Sequence, residues 1–288
     1  MESHALRWSV MQRFLFLEQR LYWDGRLNKS DLIERFEISV PQATADIAHY
    51  LRLVPDNMGY DNRVKAFLPS PAFKPKYFVP DARHYLSQLL LLSDHALAPE
   101  DSWLGVIPAH DAVPRIRRRL DVQILQPIVR AIHGRKALHV TYQSMSGPTP
   151  TQRWIAPHAL GFDGARWHVR AWCFRRSMFL DMVLARFAAI GEERPAAIDV
   201  GMDREWNEFV DVKLAPHPRL SDAQRAAIAL DFGMTDERVV VRMRLALFYY
   251  FERNLCLDLP EGALDPQRRQ VVLVNRDEID ARRPEPRD

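Results

Sequence analysis

The sequence predicts an α+β chain of several domains, and three observations predict it. The first 80 residues run helix, helix, helix and charged hairpin. After Gly134 the hydrophobic period changes from helical to alternating, and the final third mixes short strands with helices. At 288 residues, 47% of them apolar, the chain has material for two or three domains of roughly 100–150 residues and is too apolar to be disordered. The predicted order is a winged helix-turn-helix over residues 1–80, a helical linker over 81–134, a small antiparallel β-barrel or curled sheet over 135–192, and an α/β C-terminal extension over 193–288.

Each element has a local warrant. Val10, Phe14, Leu17 and Leu21 repeat at helical spacing until Gly25 breaks the pattern. Asn28 is placed to cap a second helix, with Asp31 three residues on and Leu32, Ile33 and Phe36 as its apolar face. Ser39 is placed to cap a third, with Pro41 in the first turn, where a missing N–H costs nothing. Its apolar positions are Val40, Ala43, Ile47, Tyr50, Leu51 and Val54. Gln42, Ala45, Asp46, His49 and Arg52 take the opposite face, with Thr44 at the boundary. Two short strands, 57–60 and 65–68, flank "DNRV". Prolines at 69, 71, 75 and 80 mark a boundary before the apolar helix "RHYLSQLLLLSDHA"; "DVQILQPIVRAIHGRK" is a further helix, capped by Asp121 and ended at Gly134. "KALHVTYQS", "RWIAPHALGF", "ARWHVRAWCF" and "FLDMVLARFAAI" alternate as strands. In the last third, "DVKLAPHPRL", "RVVVRMRLAL" and "QVVLVNRDEI" read as strands, Ser221 caps a helix, "FYYFERNL" is another, and the tail "ARRPEPRD" is expected to be disordered.

Composition narrows the function classes. Cys173 and Cys256 have no metal-ligand spacing and imply neither a disulfide framework nor zinc, which fits the reducing cytosol. "MESHALRWSV" lacks the pattern of an export signal, and no apolar run approaches the ~18 residues of a membrane span. Phosphate-loop, nucleophile-elbow and metalloprotease motifs are absent, so neither an enzyme nor a cofactor is predicted. The alternative function is a nucleic-acid or nucleotide-processing enzyme targeted by a winged-helix module, for which His158 beside Ser144 is a conceivable base and nucleophile without a positioned acid.

Charge is distributed unevenly. Net charge is +3 overall, but residues 130–190 hold nine Lys/Arg against two acids, Asp163 and Asp181, while 191–288 are net −5. In the N-terminal segment, a helix entering the major groove needs short polar groups near its start. Ser39, Gln42 and Thr44 qualify, and Gln pairs adenine at two points. Arg26, Lys29, His49, Arg52, Arg63 and Lys65 are the phosphate-contact candidates. The alternative is a three-helix scaffold or a module that binds protein.

In "ARWHVRAWCF", alternation puts Trp167, Val169, Ala171 and Cys173 on a core face and Arg166, His168, Arg170 and Trp172 on the other. Tyr142, Ser144 and Ser146 alternate likewise, and Arg153, His158 and Arg186 come from other strands or their ends. Converging, these groups would suit phosphates or another polyanion. The alternative spreads the arginines over the barrel exterior, paired with the acidic C-terminal segment, which remains a candidate partner-binding surface.

The block containing "VTYQSMS", "RWIAPHALGF", "ARWHVRAWC" and "VLARFAAI" resembles a WYL domain, a small Sm-like barrel; the naming tripeptide stands here as Trp167-His168-Val169. Behind "RLYWDGRLNKSDLIERFEISVPQATADIAHYL", the whole order resembles WYL transcriptional repressors that control phage-defence operons of the BREX and CBASS kinds. The resemblance implies a homodimer, paired through its C-terminal extension, that binds an inverted repeat in double-stranded DNA near its own promoter. It further implies a pocket for an anionic ligand, a nucleotide or short nucleic acid, at Tyr142, Ser144, Ser146, Arg153, His158, Arg166, Arg170 and Arg186. Arg175 and Arg176 stand where the strand is expected to be turning already.

Overall fold

The computed structural model describes residues 7–114, 116 and 118–283. The chain falls into two compact units, Met1–Arg115 and Ile116–Asp288.

In the first unit, α1 (Trp8–Asp24), α2 (Lys29–Phe36) and α3 (Val40–Leu53) precede a hairpin of β1 (Met58–Asp61) and β2 (Ala66–Pro69). α1 stops at Gly25, whose φ of 68° lies in the left-handed region that carries no penalty for a residue without Cβ. The Asn28 N–H donates to Asp31 Oδ2 at 2.8 Å, and the Gln42 N–H donates to Ser39 Oγ at 3.3 Å, so both helix starts are capped within three residues. Phe14, Leu17, Leu21, Leu32, Ala43, Ile47 and Tyr50 close one core, and Leu27 and Phe67 exchange two 2.9 Å backbone bonds that tie the hairpin to it. Two side chains depart from the expected faces of α3. Val40 is 59% exposed, and Asp46 is buried, forked by Arg13. An aspartate goes inside only with such a partner.

The segment leaving the hairpin is held by Glu18, which has no exposed surface. Its carboxylate accepts the N–H groups of Lys76, Tyr77 and Phe78 and the Tyr50 hydroxyl at 2.6–2.9 Å. α4 (Ala82–Ser93), capped by Asp81, follows; its Gln88 Oε1 accepts the Trp103 N–H at 3.0 Å, and Tyr85 stacks on Trp23 of α1.

The second unit begins with α5 (Val122–Gly134), capped by Asp121, which lays Ile124, Ile128 and Ala131 against a sheet. The sheet comprises β3 (Lys136–Tyr142), β4 (Thr151–Phe162), β5 (Trp167–Cys173), β6 (Met178–Val183) and β7 (Phe187–Pro195), antiparallel in the order β6-β5-β4-β3-β7. "FLDMVLARFAAI", expected as one strand, is two. Met182, Val183 and Leu184 are all buried, which alternation forbids, and the chain turns through a 3₁₀ segment, Leu184–Arg186. That turn joins the two edge strands. Three residues at about 2 Å each reach roughly 6 Å, whereas the edges of a flat five-stranded sheet lie about 19 Å apart. The sheet is therefore rolled into a small barrel. The Val183 N–H donates to Tyr142 Oη at 3.0 Å across the closure, and β4 is bulged between Pro157 and Ala159.

The C-terminal part centres on β8 (Phe209–Pro216), flanked by β9 (Val239–Arg244) and β10 (Val271–Leu273), with α6 (Arg204–Asn207), α7 (Asp222–Asp231), α8 (Leu245–Asn254) and α9 (Arg276–Asp280). Ser221 caps α7 as predicted. All three expected strands end early, "DVKLAPHPRL" at Pro216. "RVVVRMRLAL" becomes helix at Leu245, because Leu245, Phe248 and Glu252 are buried at helical spacing. "QVVLVNRDEI" stops at Leu273. Asn275 then accepts the Lys213 N–H and donates to the Asp211 carbonyl, occupying the sheet edge. Of the tail expected to be disordered, Ala281–Arg283 turn back and Arg283 pairs with Glu252, while residues 284–288 lie outside the described residues.

Candidate DNA-reading helix and anion cleft

On α3, Val40, Gln42, Thr44, Ala45, Ala48 and Arg52 are exposed, as is Ser39 at its start. The Gln42 Nε2 donates to Asp46 Oδ1 at 3.0 Å, and the Thr44 hydroxyl donates to the Val40 carbonyl at 3.0 Å, so each has one hydrogen already committed inside the helix. His49 is half-buried, its ring edge-on to Phe14 with centroids 5.4 Å apart. Arg26, Lys29, Arg52, Arg63 and Lys65 are exposed and form no ion pair among the described residues. Lys65 sits at φ 53°, where the hairpin loop turns, and the same hairpin exposes Tyr60 and Val64, which the sequence pattern did not single out.

The eight residues expected to converge on one pocket fall into two groups. Tyr142, Ser144, Ser146, Arg153 and Arg186 line a cleft of about 510 Å³, together with Thr149, Thr151, Asp181, Arg175 and Arg176. Arg175 and Arg176, set aside in the sequence, belong here because the chain turns immediately after β5 and brings them back over the cleft. Their signal was the acid-free stretch that surrounds them. Ser144 and Ser146 hydroxyls lie 2.8 Å apart; Arg153 bonds Thr151 and lies over the Tyr142 ring, its Nε buried without a hydrogen-bond partner. Arg175, Arg176 and Arg186 form no ion pair among the described residues.

His158, Arg166 and Arg170 lie outside that lining. Arg170, expected on an open surface, is 4% exposed: Nε and Nη2 fork Asp203 at 2.8 and 2.7 Å, Nη2 also reaches Glu205 at 2.8 Å, and Nη1 meets Asp181 at 3.4 Å. His158 shares a 2.8 Å hydrogen bond with Asp203, which removes it from any partnership with Ser144. His168, also buried, and Arg166 both bond Asp163, at 2.9 and 2.8 Å. Local acids are too few to neutralise this strand, and the C-terminal segment supplies the rest through Asp203 and Glu205. Trp167, expected in the core, is 43% exposed and packs on Phe162 at the strand's start.

The electrostatics follow the geometry. Burial pushes the Asp203 carboxyl up, but hydrogen bonds from Arg170 and His158 outweigh it and hold it at about 2. Burial likewise opposes Asp163, and His168 with the Ala165 and Arg166 donors holds it well below the usual range. Asp181 goes the other way: burial raises it despite Arg170 and His168. It lines the cleft and also bonds Arg170 and, at 3.2 Å, the Tyr250 hydroxyl of α8.

Three family models match in the order the fold displays: the BrxR transcriptional regulator winged helix-turn-helix domain at residues 9–91, the WYL domain at 123–191, and the BrxR transcriptional regulator C-terminal dimerization domain at 209–279. A DNA-binding transcriptional repressor CapW of Stenotrophomonas maltophilia is 38% identical over 96% of this chain and 93% of its own length. The chain belongs to the BrxR and CapW family of WYL-domain regulators. CapW repressors of Escherichia coli (strain KTE188) and Pseudomonas aeruginosa are each 39% identical over 95% of this chain and 91% of their own. In this BrxR-type chain the cleft lies within the span of the WYL model, and Asp203 and Glu205 lie between that span and the dimerization domain. No described helix is long and apolar enough to cross a membrane, and no group of His, Cys, Asp or Glu among the described residues is placed to hold a metal ion.

Proposed function

We propose that this protein is a cytoplasmic, homodimeric, sequence-specific repressor that reads an inverted repeat in double-stranded DNA through α3 and autoregulates a phage-defence operon, its cleft sensing an anionic ligand. The similarity to CapW repressors supports the repressor, and the match to a dimerization domain supports the homodimer. The proposed division of labour is 1–80 for DNA, 81–134 as linker, 135–192 for ligand, and 193–288 for pairing.

One observation carries the ligand reading: Arg153, Arg175, Arg176 and Arg186 share a cleft with hydroxyl donors, and its one acid, Asp181, is already engaged by Arg170 and Tyr250. Such a site favours phosphate groups, as a nucleotide or oligonucleotide presents them. Asp181 supplies a route outward, since an anion in the cleft disfavours its charge and so acts on bonds to β5 and α8. Coupling requires only that the ligand bind the DNA-competent and incompetent dimers unequally.

Footprinting of the protein's own upstream DNA at fixed salt, with and without oligonucleotides or cyclic nucleotides, tests the reading. Protection of two symmetric half-sites that changes with ligand is expected. Sequence-independent binding alone overturns it.

A further inference from the structure

The carboxylate of Asp46 is an acceptor only, so whichever edge of the Gln42 amide faces it must be the NH₂ edge. That fixes an orientation which an exposed glutamine otherwise leaves free. Asp46 cannot swing away, because Arg13 donates Nε to its Oδ2 at 2.7 Å and Nη2 to its Oδ1 at 3.2 Å, and both residues are buried. Oδ1 takes the Gln42 Nε2 at 3.0 Å as well, and Gln42 lies one helical turn before Asp46 at the start of α3.

We infer that Asp46, clamped by Arg13, is a positioning residue that fixes the donor and acceptor order of Gln42 and makes adenine rather than guanine the base read there. The inference rests on the reading of α3 as the DNA-contacting helix. With one N–H committed to Asp46, Gln42 retains one N–H and its carbonyl oxygen. Adenine offers the complement in the major groove, an N7 acceptor beside an N6 donor. Guanine offers two acceptors, N7 and O6, which would need both amide hydrogens.

Binding to a library of operator variants at one salt concentration tests this. The wild-type chain is expected to prefer adenine over guanine by about tenfold or more at one position per half-site, and Gln42→Ala to level that position alone. Asp46→Ala removes the acceptor and frees the Gln42 amide to present either edge; the adenine preference at that same position is expected to weaken or disappear, and the other positions keep theirs. An unchanged adenine preference in Asp46→Ala overturns the inference, as does a Gln42→Ala that levels no position. If the wild-type chain shows no sequence preference anywhere, the DNA reading itself falls and the inference with it. Should Asp46→Ala fail to fold, the Gln42 side-chain amide of the unbound wild-type protein decides by nitrogen-15 relaxation. Restricted motion of that amide supports the clamp, and random-coil mobility overturns it.

Discussion

Arg170 and the arginines of the cleft belong to one small barrel and arise from one basic stretch of sequence, yet their surroundings are opposite. Arg170 is buried and meets three carboxylates, two of them, Asp203 and Glu205, from beyond the barrel. Arg175, Arg176 and Arg186 line a cleft and form no ion pair among the described residues. A count of charges along the chain treats these residues alike. What separates them is that Asp203 and Glu205 of the C-terminal segment reach Arg170 and not the cleft, so charge as a binding resource is set by tertiary coverage.

Substitutions sharpen or break this contrast. Asp203→Ala leaves Arg170 buried with its main partner gone and is expected to cost about 3–5 kcal/mol in urea unfolding; a loss under ~1 kcal/mol would place the pair at a surface. Exchanging Arg175, Arg176 and Arg186 for Gln together is expected to weaken binding of a labelled oligonucleotide at least tenfold, with thermal stability held within a few degrees. Acid unfolding gives a smaller, signed effect. The Asp203 carboxyl is held at about 2 against an ordinary 3.8, so its contribution is complete above the ordinary value and is lost as pH falls toward about 2. Across that window wild-type stability should fall more steeply than that of Asp203→Asn; parallel curves would show that the pair does not act. Least of all, Lys65→Ala should weaken every DNA sequence alike and lower the salt slope by about one, leaving base preferences intact.

The parts legible in the sequence are those whose causes lie within a few residues. Ser39, Asp121 and Ser221 each cap a helix because the partner N–H lies two or three positions on, the Asn28 N–H finds its acceptor in Asp31 three positions on, and Gly25 ends α1 by its own backbone freedom. What escaped has distant causes. Asp203 lies 33 residues beyond Arg170, and Asp46 lies 33 beyond Arg13, so one arginine looked available and one aspartate looked exposed. Alternation separated the two faces of β5 beyond Trp167, which is exposed at the strand's start, but the face expected to be open is covered too at His168 and Arg170. The break in "FLDMVLARFAAI" escaped for a related reason: only closure of the sheet makes three consecutive residues inward-facing.

That closure has a mechanical consequence. The turn Leu184–Arg186 is the latch of the barrel, with the Val183 N–H bonded to Tyr142 on one side and the Gln143 N–H to the Arg186 carbonyl at 3.1 Å on the other. Arg186 is at once the last residue of the latch and a wall of the cleft, and Tyr142 is both its catch and the cleft's aromatic ring. Traction on either side chain is delivered directly to the hydrogen bonds that keep the cylinder shut, with no loop in between to absorb it.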